Sequence, residues 1–366
     1  MKQLIICIDG LGKDLINKED TPFLYSYGNE NSLLTLNTFF AFTEEYSFFS
    51  GEGPNEHNKW LEYRRVKDSI FSNFLIKTFS FNNKIRNLVA GLVQYFKGRR
   101  WIIGTHQIPQ EQLSNFDSTL REGLWKLPFF DGKTFVIYKW PLFGFRNKKN
   151  EGVKLILSGE DDRKRLERLL SLEAEVYSIQ IMRMDKTMHK NGKKNSETKF
   201  ALKETDKLLE DTVKSFLNKN PDGKIVLWSD HGFADINNVV NLEHYLPIEK
   251  NFVHFIAGTT AHFWVEENMR KEILDRVSKN DKIKVLTKNL ADKYKIPFNE
   301  DYGNLVLFVE KGGYFFPNFY QKNKNQKYKG MHGYPDDKEM NGFLLVNRKI
   351  DQTVVNMEDA LEIISK

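Results

Sequence analysis

Four short segments of this 366-residue chain carry side chains that could do chemistry, and each follows or ends an apolar stretch. The first is Ile8-Asp9-Gly10, closing the run at 4–8. The second, Met184-Asp185-Lys186-Thr187-Met188-His189, places a carboxylate and an imidazole four residues apart and is followed by Gly192. The third reads VLWSDHGFAD and sets Asp230 beside His231, with Gly232 behind them to allow close backbone approach. The last, Lys329-Gly330-Met331-His332-Gly333-Tyr334, holds a histidine between glycines. Any one of them could be a loop, since Asp-Gly is also a turn signal. A strand end has no packing need for Asp-His, however, and all four together are hard to assign to turns.

Hard carboxylate oxygens and borderline imidazole nitrogens favour zinc, with manganese as the alternative, and several Asp and His ligands can hold two divalent ions close together. Such a pair suits phosphoryl chemistry. One ion can acidify a coordinated hydroxyl while the other binds a nonbridging oxygen.

In order and spacing these segments resemble the alkaline phosphatase superfamily and, within it, the type I phosphodiesterase and nucleotide pyrophosphatase family. The likeness takes in the opening strand with its aspartate, a helix start followed by SGEGPNEH, the D-x-x-x-H-x-x-G segment, SDHG and the terminal MHGY. It implies Asp185, His189 and His332 as ligands of one ion and Asp9, Asp230 and His231 as ligands of the other, with the nucleophile bridging both. It also implies hydrolysis of a phosphate ester through a phosphothreonine intermediate. The expected substrate is a small phosphoester, such as a nucleotide or nucleotide-linked compound, with a diester or pyrophosphate preferred to a monoester. No nucleic acid partner is expected.

The nucleophile is where the sequence departs from that pattern. Counting back ten residues from Gly51, the family interval, reaches Ala41, which cannot attack phosphorus. The nearest hydroxyl is Thr43, at the start of an expected helix over 43–50, and it is assigned as nucleophile and bridging metal ligand; Ser47, a turn deeper, is the second choice. Thr43 is equally a standard N-cap, with Glu44 and Glu45 as ordinary first-turn residues. Two glutamates beside a phosphate site lack a sequence explanation unless they point away or meet a cationic group. The family's phosphate-holding asparagine is replaced by Glu62, and Arg64 and Arg65 beside it suit bidentate phosphate or sulfate binding, or are solvated surface.

Other readings keep parts of this pattern. Asp9-Gly10-Leu11-Gly12 resembles the opening of phosphoglycerate mutase, a phosphomonoesterase would use the same ligands, and Ala41 motivates a catalytically silent metal- or phosphate-binding protein. The absence of a cysteine near 39–51 argues against a sulfatase.

These residues need a scaffold that brings strand ends together. Apolar runs at 4–8, 153–157, 176–182, 225–228, 262–265, 305–309 and 343–346 read as strands, with helical stretches between most of them. A helix is expected over 196–217, N-capped by Ser196, with Leu209, Val213, Phe216 and Leu217 on one face. Thr21-Pro22 marks the start of a shorter one. The fold class is therefore α/β, a mainly parallel central sheet with helices on both faces, in a single catalytic domain over 1–366. Residues 66–150, rich in Phe and Trp, read as an inserted helical cap, and the basic amphipathic run 84–101 gives it a secondary reading as a membrane-surface contact. With 40% hydrophobic and 28% charged residues the chain is not of disordered composition. Its one cysteine, Cys7, sits in the first apolar run and can form no intramolecular disulfide, and that run is too short for a signal-peptide core, so the cytoplasm is expected. A net charge of +6 suits an anionic substrate or simple solubility.

Overall fold

The computed structural model describes residues 1–40, 43–67, 69, 72, 74–78, 85, 89, 92, 108–109, 112–119, 126–139, 143–148, 152–157, 161–246, 252–321, 325–335 and 337–366. A nine-stranded sheet runs in the order Val354–Asn356, Ser32–Asn37, Gly342–Val346, Lys224–Trp228, Gln3–Ile8, Val176–Ile181, Phe135–Lys139, Phe143–Lys148, Gly152–Leu157. Its central strands, from Lys224–Trp228 across to Phe135–Lys139, are mutually parallel. Antiparallel pairings flank them on both sides, at Gly342–Val346 and at Phe143–Lys148.

The opening strand shows why the sheet needs cover on both faces. Alternate side chains point opposite ways, so Leu4, Ile6 and Ile8 join one apolar cluster while Ile5 and Cys7 join another. The long helix Ser196–Lys219 covers the first face with Leu209, Val213 and Phe216, and Leu217 packs against its edge. Glu44–Ser50 and Ala360–Ser365 cover the second through Phe48, Phe49 and Ile364. The N-cap of the long helix is Asn195 rather than Ser196. Asn195 has the extended backbone a cap requires, and its side chain accepts from Glu197 N. At Pro22–Glu30 the cap comes from that same long helix, because Asp206 accepts from the N–H groups of both Phe23 and Leu24.

Two expectations change in detail. Thr260–Trp264 and Leu305–Val309 are strands, but they pair with Val253–Ile256 and Ile283–Val285 in a separate antiparallel sheet. Periodicity identifies a strand without naming its partners. Within 66–150, Phe116–Ser118 pairs with Tyr63–Arg65, while Phe135–Lys139 and Phe143–Lys148 extend the central sheet, so this part of the segment is sheet rather than helical cap. The basic run 84–101 lies outside the described residues except at 85, 89 and 92. Among the described residues, no helix is long and apolar enough to cross a membrane.

Candidate metal centre

Three adjacent parallel strands end at the same sheet edge, where ligands gather in open α/β sheets. Lys224–Trp228 leads to Asp230 and His231, Gln3–Ile8 to Asp9, and Val176–Ile181 to the helix Arg183–Asn191 that carries Asp185 and His189. Backbone bonds fix the joints. Asp9 N donates to Ile181 O at 3.0 Å, and Asp185 N donates to Asp9 O at 3.1 Å. Gly10 turns the chain with φ +78° and gives its N–H to Asp230 Oδ1 at 3.0 Å. A Cβ there would stand 2.8 Å from the Phe233 ring and 3.3 Å from Asp185 Cα, so only glycine lets the three aspartates converge.

The late segment arrives through a short ladder. Gly330–Met331 pairs antiparallel with Ala234–Asp235, while Lys329 N donates to His189 O at 2.8 Å. His332 is thereby laid on His231, the rings parallel within 3° and their centroids 3.6 Å apart. Two groups result, and within each the ligand atoms all lie within 4.8 Å of one another: Asp185, His189 and His332, and Asp9, Asp230 and His231.

The imidazole tautomers show what these groups are built for. His189 Nδ1 meets Gly330 O at 3.0 Å and His231 Nδ1 meets Gly232 O at 3.1 Å. A carbonyl only accepts, so each Nδ1 carries a proton and each ring turns its Nε2 inward. Those Nε2 atoms face carboxylates, His189 with Asp185 Oδ1 at 3.1 Å and His231 with Asp9 Oδ1 at 3.4 Å. An Nε2 beside a carboxylate either shares a proton with it or joins it in holding a metal cation. Among the described residues no lysine or arginine forms an ion pair with Asp9, Asp185 or Asp230, so the donor set fits divalent ions.

Burial, with Asp230 and Asp185 beside it, pushes the Asp9 carboxyl well above its usual range. Burial raises Asp230 as well, with Glu45 and Asp185 adding to it. Burial alone would lower His231, but Asp230, Asp9 and Glu44 carry it well above its ordinary value. For Asp185, burial is outweighed by His189, which holds the carboxyl low. Burial and the neighbouring imidazoles push His332 well down.

The nucleophile region differs from expectation. The helix is Glu44–Ser50, with Thr43 as its N-cap by position only, since no side-chain cap bond forms. Thr43 Oγ1 donates instead to Lys59 O at 2.7 Å. Ser47 is fully buried, and its Oγ lies 3.0 Å from His57 Nε2. Lys59 N donates to His57 Nδ1 at 3.1 Å, which leaves the ring proton on Nε2, so His57 donates to Ser47 and cannot serve as its base. Ala41 lies outside the described residues. Arg64 and Arg65 are engaged elsewhere. Arg64 pairs with Asp301 at 3.4 Å and Arg65 lies over the Trp264 ring at 5.8 Å; among the described residues neither forms an ion pair with the two ligand groups.

Several site residues escaped the sequence reading. Gln180 Nε2 donates to Asp9 Oδ2 at 2.8 Å and lies 3.5 Å from Asp230 Oδ2. Its only signal was an amide in the otherwise apolar end of a strand. The rings of Phe233 and Tyr328 pack on His189, at 4.9 and 4.5 Å. Glu44 and Glu45 turn out to be buried, and burial together with Asp230 and Glu45 pushes Glu44 well up.

Fold and site together define a protein of the alkaline phosphatase superfamily. The chain belongs to the type I phosphodiesterase / nucleotide pyrophosphatase family, whose match spans residues 3–335. Among solved structures it is similar to murine ectonucleotide pyrophosphatase/phosphodiesterase 5 in an inactive threonine-to-alanine form in complex with AMP, at 16% identity and TM-score 0.70, covering 100% of this chain and 94% of that one. The human counterpart matches at 14% identity and TM-score 0.70 with the same coverage. No curated protein sequence matches significantly.

Proposed function

We propose that this chain cleaves a phosphodiester or pyrophosphate bond of a nucleotide or nucleotide-linked substrate, using two divalent ions and the hydroxyl of Thr43. The observation that carries it is the pair of ligand groups set side by side, joined by the stacked rings of His231 and His332. Zinc is the first choice of ion and manganese the second. Bound there, the ions would stabilise charge on the nonbridging oxygens and acidify the attacking hydroxyl. The protein's own part begins with Thr43 Oγ1, which must exchange its bond to Lys59 O for a bond to phosphorus, losing its proton to solvent as the leaving oxygen departs. Water then cleaves the phosphothreonine ester and restores the hydroxyl. His189 and His231 are held in one tautomer by Gly330 O and Gly232 O, and the Gln180 amide orients Asp9. The single buried thiol of Cys7 is compatible with a cytoplasmic setting.

The murine relative's complex with AMP supports a nucleotide-type substrate. The test is kcat/KM for a nitrophenyl monoester against a nucleotide nitrophenyl diester, with metal content measured on the same sample. A ratio favouring the diester supports the proposal. A monoester preference of at least tenfold, about 1.4 kcal/mol, that collapses in Arg64→Ala or Arg65→Ala would make this a phosphatase.

Three observations favour a second reading, a silent binding protein. Ala41 occupies the family interval for the nucleophile, Thr43 is engaged with a carbonyl, and the murine relative still holds AMP in its inactive threonine-to-alanine form. Metal binding without turnover of any diester, monoester, pyrophosphate or phosphoglycerate would establish that reading.

A further inference from the structure

The segment ending at His332 brings more than a ligand to the group of Asp185, His189 and His332. Gly330 O holds His189 Nδ1 at 3.0 Å, and Lys329 N, bonded to His189 O at 2.8 Å, ties the segment to the helix Arg183–Asn191. Tyr328, the residue before, lays its half-buried ring on His189, with centroids 4.5 Å apart and planes at 30°. That ring is itself backed. Tyr314 stacks against it at 5.9 Å and 29°, is fully buried, and has its hydroxyl bonded to Asn318 and Gln321. Phe316 continues the stack at 6.0 Å and 26°, so His189 is met by a ring with a fixed base.

A hydrogen bond at Nδ1 fixes which nitrogen faces the site but leaves the imidazole free to tilt about that bond. Tyr328 face-on and Phe233 edge-on, at 77°, remove the freedom. The face of a tyrosine ring is also electron-rich. An ion bound at Nε2 draws charge from the imidazole, and a ring turned partly positive is stabilised over such a face as a cation is. The other group has no such partner. Among the described residues the ring neighbours of His231 are Phe233 and His332, and His332 is a ligand that turns positive with its own ion.

We propose that Tyr328 is a positioning residue for His189, raising metal affinity at the position of Asp185, His189 and His332 and leaving the other position unaffected. The inference rests on the two-ion reading above and deepens it by naming a residue that sets the strength of one position only.

The full chain, stripped with chelator, is titrated calorimetrically with Zn2+ as wild type, Tyr328→Leu and Tyr328→Phe. Wild type binds two ions. Tyr328→Leu weakens one position by about tenfold, while Tyr328→Phe, which keeps the ring without the hydroxyl, stays within about threefold of wild type. Two backgrounds locate the loss: it persists when Tyr328→Leu is added to Asp9→Ala and vanishes when it is added to His189→Ala. No loss in Tyr328→Leu, equal losses at both positions, or the same loss in Tyr328→Phe overturns the proposal while leaving the two-ion reading intact. Wild type binding one ion or none overturns that reading and this proposal with it. If Tyr328→Leu does not fold, Tyr328→Met, which removes the ring but keeps a long apolar side chain, is titrated instead with the same loss expected.

Discussion

The two ligand groups share a wall of stacked imidazoles, yet they differ in composition and depth. Asp185, His189 and His332 offer one carboxylate and two imidazoles, with side chains 12–15% exposed. Asp9, Asp230 and His231 offer two carboxylates and one imidazole, with side chains 6–9% exposed. The deeper group concentrates more negative charge where water is scarcer, so an ion bound there would be held more tightly and exchange more slowly. The shallower group is where ligand exchange with a substrate oxygen costs least. Neighbouring sites on one sheet edge can thus divide their work by burial alone.

Removing one ligand from each group tests that division most severely. Asp9→Ala should empty the deep position and His189→Ala the shallow one, each lowering kcat/KM by on the order of 10³-fold or more. Elemental analysis should find one ion left in either variant. If both variants lose both ions, the groups form one cooperative site.

Thr43→Ala comes next. It should keep both ions while lowering turnover about 10³-fold, since the covalent route needs the hydroxyl whereas the fold loses one hydrogen bond worth about 1 kcal/mol. Full turnover in the variant would remove Thr43 from the chemistry. Ser47, buried and bonded to His57, would then require the helix to open.

Acid should act on the scaffold around the groups. Burial pushes both His57 and His262 down to about 4. The unfolded chain, with histidine near 6.5, binds protons that the folded chain refuses, so stability is full above pH 6.5 and falls as pH drops toward 4, by on the order of 2–3 kcal/mol per histidine. Denaturant melts of His262→Asn and the parent across pH 4–7 should show a shallower slope in the variant. Equal slopes would show that His262 is not neutral in the fold.

Gly10→Ala reaches both groups through the backbone. With φ +78° and Phe233 in the way, it should cost on the order of 2 kcal/mol and reduce occupancy at both positions, because Asp9, Asp185 and Asp230 meet there. Loss at one position only would separate the groups further than the structure does. The smallest effect belongs to Arg64→Ala. Its half-exposed pair with Asp301 should contribute under about 1 kcal/mol, read as a shift in denaturation midpoint.

Much of this site was legible in the chain itself. Apolar runs ending in Asp9 and in Asp230-His231 announce strands delivering carboxylates, and a four-residue interval puts Asp185 and His189 on one helix face. These are local facts, set by covalent spacing and side-chain period. Which strands lie next to which is decided by long-range packing, and there the sequence falls silent. The short ladder that lays His332 on His231 joins segments far apart in the chain. The helix Glu44–Ser50 is held by Phe48 stacking on Trp228, and Gln180 matters only because its strand neighbours that of Asp9. The same packing turns Arg64 and Arg65 toward Asp301 and Trp264. Residue types and intervals determined the chemistry on offer, and tertiary structure decided which side chains share it, because contact across a sheet depends on strand order rather than on distance along the chain.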